Sequence, residues 1–161
     1  MWQEAIGDGI VDFSSKVNLI FTKKTVMLPK ANRLRRNQDF SKVYEKGLRQ
    51  KGPDLLLRAL RRPQEKAEAN KAESRKTAKP TRIGISIGKK VSKQAVVRNR
   101  LKRLIRAAMR QLLPKIKPGW DLAIVVKPTA QRCNYREILQ QLEQLLARSE
   151  VLDGHKRRTN L

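Results

Sequence analysis

Apolar and polar positions change rhythm several times between Asn37 and Arg148, and each change predicts an element. Phe40, Val43 and Tyr44 share one side at helical spacing. They predict a short helix over 38–46, with Asn37 as N-cap and Gly47 just past its end. Residues 54–60 carry the run Leu55-Leu56-Leu57 and read as a strand. Residues 82–88 alternate strictly, Ile83, Ile85 and Ile87 against Gly84, Ser86 and Gly88, and read as another strand. A long amphipathic helix is expected over 93–113, stopped by Pro114 and Pro118. A strand over 120–127 follows, ended by Pro128. Asn134 then opens a last helix, with Glu137 at the capping-box position and Ile138, Leu139, Leu142, Leu145 and Leu146 as its buried stripe.

Residues 62–81 interrupt this pattern. They hold no Leu, Ile, Val or aromatic residue, so burial there cannot offset ordering entropy, and a flexible loop between two strands is expected. Residues 149–161 are expected to be a basic tail. Residues 1–26 balance Glu4, Asp8 and Asp12 against Lys16, Lys23 and Lys24, whereas the rest of the chain is strongly basic. That stretch is read as an extension, disordered or not translated, ahead of a domain spanning 27–148.

Charge changes the picture most. The chain of 161 residues carries a formal charge of +24, and from Ser74 to Trp120 there is no acidic residue. On the long helix Arg98, Lys102, Arg106 and Arg110 follow one another at i, i+4, with Arg103 beside them and Asn99 among them. Val97, Leu101, Leu104, Ile105, Ala108 and Leu112 occupy the other side, and Arg100 falls on the border. Like charges at this spacing repel. A one-signed face therefore calls for a counter-charge, which the phosphates of a nucleic acid supply.

Several classes of function are excluded. No apolar run approaches the roughly 20 residues of a bilayer span, and the basic helix has no Trp or Phe on its apolar side for a membrane surface. No helix-turn-helix or zipper pattern points to DNA. One Cys (Cys133) and one His (His155) exclude a zinc finger, an internal disulfide and a histidine triad in the domain. The acid-free centre offers no carboxylate cluster for a protein nuclease. Two readings stay open at the other candidate positions. Phe40 and Tyr44 can be core residues or can stack on unpaired bases. The Gly84–Ser86–Gly88 side can receive a helix or an extended RNA strand.

Three segments in order carry a resemblance: Arg33-Leu34-Arg35-Arg36-Asn37-Gln38-Asp39-Phe40 with Val43, Tyr44 and Gly47; Gly84-Ile85-Ser86-Ile87-Gly88-Lys89-Lys90-Val91; and Arg98-Asn99-Arg100-Leu101-Lys102-Arg103-Leu104-Ile105-Arg106. Together with residues 121–128 they resemble the protein subunit of bacterial ribonuclease P, over about 28–146 without the loop. The resemblance implies an α+β fold, a two-layer α/β sandwich. Its small sheet of about four strands would be packed with a short N-terminal helix, a long basic helix in a left-handed crossover and a C-terminal helix. It implies a non-catalytic protein partnered one to one with a catalytic RNA. That RNA would use Mg²⁺ to remove the 5′ leader of precursor tRNA, and the protein itself would hold no cofactor or metal. Arg98, Asn99, Arg100, Lys102, Arg103 and Arg106 would contact the catalytic RNA. Phe40, Tyr44, Arg58, Ser86, Lys89, Lys90 and Lys127 would line the leader cleft. Arg58 departs from the family pattern, where an aromatic is usual, although a guanidinium plane also stacks on bases. A cytoplasmic ribonucleoprotein subunit without membrane or DNA partners is expected; the alternative is a structural RNA-binding protein resembling a ribosomal protein.

Overall fold

The computed structural model describes residues 28–63 and 79–153. The expected 1–26 extension, most of the 62–81 loop and the far end of the tail lie outside the described residues. In chain order the elements are α1 (Asn37–Lys46), β1 (Leu48–Lys51), β2 (Leu55–Arg61), β3 (Arg82–Ser86), α2 (Ala95–Leu112), β4 (Trp120–Val126) and α3 (Tyr135–Arg148). The four strands form one sheet in the order β1-β2-β4-β3. The β1–β2 and β2–β4 pairs are antiparallel, and β3 runs parallel to β4. Parallel neighbours require a crossover, and α2 is that crossover.

Register sorts the side chains onto two faces. Leu55, Leu57, Ala59, Leu122, Ile124, Val126 and Ile83 form the inner face and join Leu101, Ile105, Met109, Ile138, Leu142 and Leu146 of α2 and α3 in the main core. Burying such aliphatic side chains contributes about 1.5–3 kcal/mol each. The opposite face carries Arg58, Ala123 and Gly84 in one row and Leu56, Val125 and Ser86 in the next. Helix α1 covers part of it: Val43, Leu34 and Ala123 make a small second core, with Phe40 and Leu60 against it. The sheet thus has α2 and α3 on one face and α1 on the other.

Caps and boundaries explain where the elements end. The α3 capping box is complete, with the Asn134 side chain accepting from the Glu137 backbone N–H and the Glu137 carboxylate accepting from the Asn134 N–H. At α1 the sequence expectation shifts by one residue. Arg36 occupies the N-cap without a side-chain bond, and Asn37 is the first helical residue. Gly47 is the C-cap itself, with φ −73°, so its small size rather than a left-handed backbone is what matters. A Cβ there would sit 2.4 Å from the Val43 carbonyl oxygen, which accepts the Gly47 N–H.

Two expectations about the domain limits change. Residues 149–153 are not tail: Ser149, Val151 and Leu152 are buried, and Lys117 and Asp153 donate backbone bonds that tie this segment to the turn after α2. The 62–81 interruption is also shorter than expected. Thr81 is buried, its hydroxyl donates to the Lys117 carbonyl, and the Arg62 N–H donates to Gly119 O. These anchors are polar and non-local, so an apolar periodicity does not reveal them.

Candidate RNA interface

The basic side of α2 divides into three zones. At the crest Asn99 and Arg103 are exposed. On one flank Lys102 and Arg106 turn toward the outer edge of β3, where they line a groove of about 320 Å³ with Leu28, Arg33, Leu34, Arg35, Phe40, Ile83, Gly84 and Ile85. On the other flank Arg100 reaches away, its Nη1 donating to the Gln131 carbonyl at 3.3 Å. Helical geometry accounts for the spread. At 100° per residue Lys102 and Arg100 lie near opposite borders of the polar side, while Asn99 and Arg103 lie between them. Arg98 folds back on the helix start, its Nη1 donating to the Ser92 and Lys93 carbonyls at 2.7 and 2.9 Å. Sequence reasoning groups Arg98, Asn99, Lys102, Arg103 and Arg106 on one face with Arg100 at its border; the structure separates them further by what their ends touch.

The edge groove exists because the chain before α1 runs beside β3. The Leu34 N–H donates to Ile83 O, Arg33 bridges to Ile83, and Arg33 Nε holds the Leu28 carbonyl. This brings the cation Arg35 and the buried Leu28 to the groove, positions that periodicity does not single out.

Phe40 and Gly84 meet directly. A Cβ on Gly84 would lie 2.2 Å from Phe40 Cζ, so the missing side chain is what lets the ring settle on the strand. The smooth strand surface is therefore taken at Gly84 by Phe40. Phe40 is half-buried, packed on the small core and lining the groove. Ser86 stays half-exposed at the far end of the strand, and Lys89 and Lys90 are exposed in the turn beyond it.

Tyr44, one turn after Phe40, is half-buried beneath Arg58. The guanidinium carbon lies 5.2 Å from the Tyr44 ring centroid, and Arg58 Nη1 donates to the Tyr44 carbonyl. Arg58 Nε is buried without an acceptor among the described residues. At the end of β4 the Lys127 ammonium donates to the Gly52 and Pro53 carbonyls, so it fastens the β1–β2 turn.

Two polar clusters that sequence reasoning missed hold this surface together. Asp121, 4% exposed, receives Arg82 and lies 3.3 Å from Arg62 Nε, and Arg82 also reaches Asp39 on α1. The Arg82 pKa is raised, first by its hydrogen bond to Asp121. The signal was present: Asp121 is the first acid after the acid-free stretch, inside an otherwise apolar strand. In the second cluster the Gln141 amide donates to Asp54, whose carboxyl is held below its ordinary value, first by the Thr129 hydroxyl. Among the described residues no group of three or more His, Cys, Asp and Glu gathers to hold a metal, and no helix is long and apolar enough to cross a membrane.

A basic α+β domain with a cationic crossover helix flanking a half-open sheet face is a protein built to meet a polyanion. Comparison with known proteins makes this specific. The family model for ribonuclease P matches residues 28–150. The ribonuclease P protein components of a Cyanothece strain and of Trichormus variabilis are each 50% identical to the chain. The first aligns over 131 residues, 80% of this chain and all of the relative; the second over 137 residues, 80% and 98%. The ribonuclease P protein of Staphylococcus aureus superposes with a TM-score of 0.61 at 27% identity, covering 77% of this chain and all of that one. The Thermotoga maritima protein, at 22% identity and a TM-score of 0.58, shares the fold over 72% of this chain and 96% of its own. The chain belongs to the ribonuclease P protein family, the RNA-binding subunits of a tRNA-processing ribonucleoprotein.

Proposed function

We propose that this subunit docks on the catalytic RNA of ribonuclease P through the crest of α2 and its Arg100 flank, and holds the 5′ leader of precursor tRNA along the sheet face beside α1 and the groove at the Lys102 and Arg106 flank. The observation that carries the reading is the edge groove, which sets the aromatic ring of Phe40 beside the cations Lys102 and Arg106. Single-stranded RNA offers stackable bases and phosphates in alternation, and this groove offers a ring and cations to match. Arg103 and Asn99 reach outward for the catalytic RNA, the first for phosphate and the second for sugar or base edges. In this reading Mg²⁺ belongs to the RNA, which performs the hydrolysis. The protein, one copy per RNA, raises substrate affinity and does no bond chemistry.

Reconstitution with the cognate RNA tests the reading. The protein should restore cleavage of precursor tRNA at low Mg²⁺ and should cleave nothing alone. Its benefit to binding should grow when a leader is present. A folded protein that gives no stimulation, or a benefit indifferent to the leader, overturns it; the second outcome would describe a purely structural RNA-binding subunit.

A further inference from the structure

We propose that Gln131 is a positioning residue for precursor tRNA, acting through the turn that carries Lys89 and Lys90. The inference rests on the leader reading above and adds to it a residue from another element, away from the sheet face. Beyond Ser86, the last residue of β3, the chain makes a tight turn in which the Val91 N–H donates to the Gly88 carbonyl at 3.1 Å. Lys89 and Lys90 are the two central residues of that turn. Both are exposed, and neither bonds to a described residue. Adjacent ammonium groups repel, and fixing a turn costs backbone entropy. Contacts beyond the tip therefore decide how well the pair is placed.

Those contacts lie on the far side of the turn. Val91 is buried in the main core. The carbonyls of Val91, Ser92 and Lys93, three in succession, each accept from a side chain. The Gln131 amide donates to Val91 O, and Arg98 Nη1 donates to Ser92 O and Lys93 O. Arg98 belongs to the helix that follows directly, whereas Gln131 lies 40 positions on, in the short 3₁₀ helix Pro128–Arg132. That helix is itself well seated. Ala130 and Cys133 are buried, and their N–H groups donate to Lys127 O and Ala130 O. The Gln131 carbonyl also accepts Arg100 from α2. One residue thus bonds to α2 by its backbone and to the lysine turn by its side chain. With its amide turned to Val91, Gln131 serves RNA through the two lysines, whose ammonium groups suit phosphates.

The test uses the reconstituted holoenzyme with Gln131→Met, which keeps the side-chain length and neutrality and removes the donor. Binding of precursor tRNA with and without its leader is measured for Gln131→Met, for Lys89→Ala/Lys90→Ala and for the three changes together, and a melt confirms each fold. Gln131→Met should weaken leader-dependent affinity roughly twofold to tenfold, the span for one net hydrogen bond, and leave leaderless tRNA unchanged. With both lysines already removed, the same change should cost nothing further, because the groups it positions are gone. A role elsewhere in the fold would cost the same in both backgrounds, and that result overturns the proposal. Leader-dependent affinity kept in Gln131→Met but lost with the lysines overturns it too. Phe40→Ala, run alongside, separates the two readings. Affinity kept without the lysines but lost in Phe40→Ala sinks the positioning role alone; affinity kept in both sinks the leader reading and the positioning role with it.

Discussion

Arg82 grips Asp121 with Nε and Nη2, at 2.8 and 2.7 Å, and its remaining Nη1 reaches Asp39 at 2.9 Å. One guanidinium thereby ties β3 to β4 and both to the first turn of α1. The helix turn held in this way is the one that lays Phe40 on Gly84, two residues along β3 from Arg82.

Asp121→Asn should therefore be among the most damaging polar changes in the domain. The carboxylate is nearly inaccessible, and Asn in its place removes the two-pronged contact and leaves Arg82 with Asp39 alone, a loss toward the low end of the about 3–5 kcal/mol that breaking a buried pair costs. Arg82→Lys should also destabilise, because an ammonium cannot reproduce the two-pronged contact. Urea unfolding monitored by circular dichroism checks both. A loss below about 1 kcal/mol would show the pair to be only superficially coupled.

Gly84→Ala asks whether Phe40 needs its seat. The new methyl would fall 2.2 Å from the ring, so the ring or α1 must move. Overpacking of this kind costs about 1–3 kcal/mol. Leader-dependent affinity for precursor tRNA should weaken with it, while assembly with the catalytic RNA should not. Unchanged stability and binding would mean that the ring relocates freely.

Arg98 and Arg103 should separate in experiment although they look alike in sequence. The Arg98 side chain binds the Ser92 and Lys93 carbonyls before α2, whereas Arg103 is exposed on the crest. Arg103→Ala should lower the salt slope of binding to the catalytic RNA by about 0.7–0.9 and leave the melting temperature nearly unchanged. Arg98→Ala should lower the melting temperature and change the slope less. The reverse pattern would move the RNA contact to the N-terminal end of the helix.

Cys133 should be a slow nucleophile. Burial first, then the neighbouring Asp54, pushes its thiol pKa up to about 11. The thiolate is the reactive form, so alkylation of the native protein should keep rising about tenfold per pH unit well past pH 9, and unfolding should accelerate it sharply at pH 8. A native rate that levels off near pH 9 would show the thiol to be open to water.

Much of the architecture was legible because it is local. The 3.6-residue period places Leu101, Ile105, Ala108 and Leu112 inward and Arg103 outward wherever α2 lies, and all four apolar residues are buried. The alternation of Ile83, Ile85 and Ile87 survives in the same way, with each packed in or against the main core. Strand β1 was not legible. Leu48-Arg49-Gln50-Lys51 has no apolar face, Leu48 is 56% exposed, and only its ladder to β2 makes it a strand. Phe40 and Tyr44 were legible as a pair but not in their surroundings, since Gly84 and Arg58 come from distant parts of the chain.

The amino-acid order by itself determined the helix faces, the strand alternation, the α3 cap and the one-signed charge of the central region. Each of these depends on residues within a turn or two of one another. Tertiary structure alone decided that Arg49 stands beside Arg58 in the strand register and that Arg82 meets an aspartate 39 positions away. Those are pairings across the sheet. They follow from strand order and register, which emerge only when the whole apolar surface is buried at once.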